Sequence, residues 1–119
     1  MRASDKPLFW TASALDDLQG FPDAVKRVMG FALRQAQTGG KHIDAKPLKG
    51  FGGAGVLEIV EDDDGNTYRA IYTVKFAKAV YVLHAFQKKS TSTPKREIDL
   101  IVQRLKRAEE HYAEWCKKR

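Results

Sequence analysis

A chain of 119 residues suits one domain spanning 1–119, and it buries roughly two-thirds of the surface it exposes when unfolded, so it needs neither a disulfide nor a metal to fold. Cys116 is the single cysteine, which excludes an intramolecular disulfide; with no signal-peptide pattern and no apolar run near the ~20 residues of a membrane span, a reducing cytoplasm is the expected location and no membrane partner is expected. The net charge of +6 is unevenly spread: residues 1–64 carry 8 Lys/Arg and 10 Asp/Glu, whereas residues 65–119 carry 13 and 5. That asymmetry points to an anionic partner, nucleic acid foremost, ahead of a basic surface that only aids solubility.

Residues 7–11 read as a short first strand. Ser13 is placed to cap a short helix with Leu15 and Leu18 on one side and Asp16 and Asp17 in its first turn, and Gly20 ends it. Pro22 starts a second helix, in which Val25, Val28, Met29, Ala32, Leu33 and Ala36 form one apolar stripe before Gly39-Gly40. These helices read as cover for a sheet, with no chemistry on them. The loop over 40–55 has glycines at 40, 50, 52, 53 and 55. It lacks the order of either phosphate-binding glycine motif, so its glycines are expected to let the chain turn, while Lys46 and Lys49 are within reach of a bound phosphate.

Three strands follow, over 56–61, 67–74 and 79–87, joined by short connections that imply an antiparallel meander. The acidic turn over 62–66 lacks a calcium-loop pattern and reads as solvated. The apolar run over 80–86 ends at Lys88 and Lys89. After a Ser/Thr linker, Thr93-Pro94 is expected to cap and open a helix to about 118, with Lys95 and Arg96 in its first turn. A core strand thereby delivers two ammonium groups beside a helix N-terminus, a ready phosphate site. Ile98, Ile101, Val102, Leu105, Ala108, Tyr112 and Trp115 lie on one face of that helix. At about 24 residues it is about 36 Å long, more than a small sheet covers, so its last turns are expected to dock on a partner or extend free.

Histidines 42, 84 and 111 share no ligand spacing, and with one cysteine no metal site is expected. The cations remain. Arg69 lies in TYRAIYTV and shares a strand face with Ile71 and Thr73; it must pair with a carboxylate such as Glu58 or Glu61, or face a groove. His84, Phe86 and Lys88 share a face of the next strand. Cations interleaved with rings suit single-stranded RNA, the cations on phosphate and the rings on bases. His84 reads as a hydrogen-bonded wall residue or a proton carrier, and Phe86 as core or as a stacking platform.

With LKGFG, YRAIY and LHAFQKKSTSTPKREID in this order, the chain from Leu8 to about Ala108 resembles the RelE/ParE superfamily of toxins, in its HigB-like, phage-derived branch. The resemblance implies an α+β fold with a mostly antiparallel four-stranded sheet, two N-terminal helices and a C-terminal helix. It implies the toxin of a type II toxin–antitoxin system, a ribosome-dependent endoribonuclease acting on mRNA in the 70S A site, with a helix-turn-helix antitoxin as partner and no small-molecule cofactor. By position it implies Arg69 on the scissile phosphate and Lys88 and Lys89 as further cations; the final segment has no tyrosine where some relatives use one. The reaction is attack of the RNA 2′-hydroxyl on phosphorus, giving a 2′,3′-cyclic phosphate, with Arg69 stabilising the phosphorane and Lys88, Lys89 or His84 moving protons. Lys46, Lys49, Phe86, Lys95 and Arg96 are the expected RNA contacts. Two other readings stay open: a ParE-like inhibitor of DNA gyrase that cleaves nothing, and an inactive prophage remnant that only binds its antitoxin.

Overall fold

The computed structural model describes residues 5–52, 55–89 and 93–118. The elements run β1 (Leu8–Trp10), α1 (Ala14–Gln19), α2 (Asp23–Gln37), β2 (Lys46–Pro47), β3 (Val56–Asp63), β4 (Asn66–Thr73), β5 (Val80–Lys88) and α3 (Lys95–Lys117). The fold is α+β as expected, but the sheet has five strands in the order β1-β5-β4-β3-β2. The added strand is β2, a two-residue edge strand in the glycine-bearing loop, paired antiparallel to β3 through Lys46↔Glu58 and Pro47↔Leu57. Two residues carry too little periodicity to be read from sequence. β1 pairs parallel to β5, and β3, β4 and β5 form the meander.

The β3–β4 hairpin closes more tightly than its acidic run implies. Asp63 pairs with Asn66, and Asp64 and Gly65 turn the chain with φ of 50° and 80°. Two residues with positive φ match the right-handed twist of the strands, so pairing extends beyond residue 61. Gly55, at φ +70°, brings β3 against the chain leaving β4, where a Cβ would meet the Lys75 backbone nitrogen at 3.0 Å.

The sheet is covered on both faces. Val25, Met29, Leu33, Tyr72 and Val82 share one core beneath α1 and α2. Ile71, Tyr81, Leu83, Phe86 and Ile101 share the other, beneath α3. A bulge sets this division: Ile71 faces His84 but Tyr72 faces Val82, so Leu83 is the extra residue. Leu83 and His84 are therefore both turned toward α3, which strict alternation forbids.

Three details of α3 differ from expectation. Pro94 occupies the cap position and Thr93 lies outside it, its hydroxyl used elsewhere. Val102 is 50% exposed, since it sits at the margin of the apolar stripe. The last turns do not extend free: Trp115 packs edge-on against Phe9 at 5.3 Å, and Tyr112 lies 4.5 Å from the Phe76 ring. The Tyr112 hydroxyl also accepts from the Lys78 N–H at 3.1 Å. β1 and the β4–β5 connection lengthen the platform beyond the strands of the meander. No described helix is long and apolar enough to cross a membrane.

Candidate functional site

Strand register builds the site. Val60 faces Arg69 on β3–β4, and Phe86 faces it on β4–β5. Glu58, which pairs with Ile71, is therefore the diagonal neighbour of Arg69 on the α3 face. Lys88 pairs with Thr67 two residues along the same face. Leu48, Lys49, Glu58, Arg69, Lys88, Thr93 and Ile98 enclose a cleft of about 390 Å³ between the sheet and the start of α3.

Arg69 is 7% exposed at the floor of this cleft. Its Nη1 donates to Glu58 Oε2 at 2.6 Å and to Thr93 Oγ1 at 2.8 Å. Both bonds leave through one nitrogen. The buried Nε meets no acceptor among the described residues. A guanidinium recognises phosphate through paired parallel donors, and here the side of the fork that includes Nε is not used by the described residues. Buried donors are almost always satisfied, so an unpaired one beside a cleft calls for a ligand acceptor.

The expected site residues separate into those inside and outside the cleft. Arg69, Lys88 and Lys49 line it. Lys89 is exposed and does not, because successive strand residues face opposite ways. Lys46 is exposed on β2, and Lys95 pairs with Asp99 on the surface of α3 at 3.0 Å, beside exposed Arg96. Phe86 is 9% exposed within the α3-side core and stacks on His84 at 4.7 Å, so it has no open face for a base.

His84 also lies outside the cleft, sealed beneath α3. Its Nε2 bonds Glu97 Oε1 at 2.7 Å, and its Nδ1 meets Arg104 Nη1 at 3.1 Å. Arginine can only donate, so Nδ1 accepts and the proton sits on Nε2. Burial, with the Arg104 charge assisting, holds its pKa below the ordinary histidine value. Arg104 also donates to the Leu83 carbonyl at 3.0 Å and to Ser13 Oγ at 3.3 Å, tying α1, β5 and α3 together. Burial lowers the Arg104 pKa as well. This trio holds α3 over the sheet and so shapes the cleft without entering it.

In the sequence Glu58 reads only as a bridging carboxylate and Thr93 only as a helix cap. The turn at Asp64-Gly65 contains the signal for Glu58: counting back from the Asp63–Asn66 pair puts it diagonal to Arg69. Thr93 has no comparable signal, since its contact with Arg69 spans 24 residues of chain.

These features define a small α+β protein whose sheet carries a buried arginine at the floor of a cationic cleft. The chain belongs to the phage-derived Gp49-like protein family (DUF891), whose model matches residues 16–106. That family is associated with toxin–antitoxin systems, and the matched segment contains every residue lining the cleft. No curated protein matches the chain significantly.

Proposed function

We propose that the chain is the toxin of a type II toxin–antitoxin pair, a HigB-like member of the RelE/ParE superfamily that cleaves mRNA on the ribosome. The observation that carries this reading is Arg69: a guanidinium at the floor of a cleft, with Nε unpaired among the described residues and Lys49 and Lys88 beside it. The cleft is sized for one nucleotide step and has the charge a phosphodiester requires.

In the reaction, non-bridging phosphate oxygens take the unused edge of Arg69, which stabilises the charge of the phosphorane. Glu58, ion-paired at 2.6 Å, supplies a carboxylate beside the same phosphate and accepts the 2′-hydroxyl proton. The O2′–P bond forms as the P–O5′ bond breaks, and an ammonium of Lys88 or Lys49 protonates the departing 5′-oxygen. The products are a 2′,3′-cyclic phosphate and a 5′-hydroxyl end. The nucleophile belongs to the substrate, so the protein aligns, stabilises and transfers protons. The partner in this reading is a helix-turn-helix antitoxin.

Brief induction followed by mapping of transcript 5′ ends tests it. New 5′-hydroxyl ends within coding regions, lost in Arg69→Ala, are expected. Intact transcripts with an SOS response would instead support a gyrase inhibitor of ParE type, and no growth effect would support an inactive remnant.

A further inference from the structure

A second cavity lies at the other end of α3, about 18 Å along the helix from Ile98 at 1.5 Å per residue. It encloses about 630 Å³ between the end of β1 and the α3 residues from Arg107 to Glu114. It shares no lining residue with the Arg69 cleft. Apart from Tyr81, its walls fall outside the segment that matches the family.

Several independent observations mark it as a built site. Thr11 is 8% exposed and lines the cavity, yet its Oγ1 is buried with no hydrogen-bond partner among the described residues. The next residue, Ala12, holds φ at +50°, a conformation that costs a non-glycine residue energy and clusters at ligand sites. The Tyr81 hydroxyl lies 2.6 Å from His111 Nδ1. Burial pushes the Tyr81 pKa up to about 12, so the phenol keeps its proton.

The lining states which ligand fits. Phe9, Trp10 and Tyr81 present aromatic surface, whose negative faces attract cations. Glu110 and Glu114, one helical turn apart, have no ion-pair partner among the described residues, and they outnumber the lone Arg107 on the lining. This is an acidic, aromatic cavity on a protein of net charge +6.

We propose that this cavity binds an organic cation, an alkylammonium or guanidinium on a short apolar chain. Its N–H groups reach the Thr11 hydroxyl and the two carboxylates, and its body lies against Phe9 and Trp10. Such a cation comes either as a free amine or as a basic side chain of a partner protein.

Agmatine and an arginine-containing tripeptide, titrated separately into the full chain, test this. The Trp10 indole and Thr11 amide signals are followed by nitrogen-edited NMR. Saturable shifts are expected in the millimolar range or tighter, weakened about tenfold by Glu110→Gln with Glu114→Gln, both at exposed positions. Thr11→Val is expected to weaken binding as well. Saturation by agmatine supports a free amine as the natural ligand; saturation by the tripeptide alone supports a partner's side chain. The proposal is overturned if neither probe saturates, if the double glutamine variant binds equally well, or if inorganic phosphate produces the shifts in place of the cations.

Discussion

Removing the Arg69–Glu58 pair one side at a time and then together separates its structural from its chemical role. The side chains are 8% and 15% exposed, so the pair is nearly desolvated. Breaking such a pair from one side costs roughly 3–5 kcal/mol when burial is complete; the residual exposure of Glu58 at the cleft brings Arg69→Met to about 2–3 kcal/mol. Glu58→Leu leaves a buried guanidinium with only the Thr93 hydroxyl, and about 3 kcal/mol is expected. In the double variant neither charge is stranded, so its loss falls well below the sum, with a coupling of about 2 kcal/mol. Urea unfolding followed by Trp10 and Trp115 fluorescence measures all four corners. Cleavage behaves differently: removing the phosphate donor costs about 10²–10³ in rate, and nothing in the double variant restores it. The double variant is thus expected to lose about 3–4 kcal/mol, little more than Glu58→Leu alone, and to be inactive. A folded double variant that still cut transcripts would refute the assignment of the cleft.

Other outcomes follow from the same packing. The folded His84 pKa is depressed below 6.5, so the unfolded chain takes up this proton first. Its contribution to stability is complete above about pH 6.5 and is lost as the pH falls below that, at no more than about 1.4 kcal/mol per pH unit. Urea midpoints at pH 7.5 and 5.5 should show this drop, and His84→Asn should flatten it. Phe86→Ala is expected to cost about 3–4 kcal/mol in the same unfolding assay; unchanged stability with lost cleavage would mean that the ring stacks on RNA instead. Gly55→Ala combines a positive φ with a 3.0 Å approach to Lys75 and should lower stability by about 1–3 kcal/mol, read as a lower melting temperature.

Periodicity, composition and turn chemistry were enough to place the three helices and the four longer strands. Each is a local signal: the α2 stripe from Val25 to Ala36 recurs every third or fourth residue, and the run at 80–86 has the β-branched and aromatic content of a buried strand. Alternation groups Arg69 with Ile71 and Thr73 on one strand and Lys88 with Phe86 on the next, and the structure brings both cations to one cleft. Tertiary structure alone decided what surrounds them. Thr93 reaches Arg69 across 24 residues, and Arg104 reaches Ser13 across 91. The Leu83 bulge turns His84 under α3, where Glu97 and Arg104 close around it, and Phe86 is covered as core. An arginine between tyrosines reads the same in sequence whether it pairs or lies open. Which edge of its guanidinium stays unpaired depends on where three distant segments pack, and no local pattern encodes that distance.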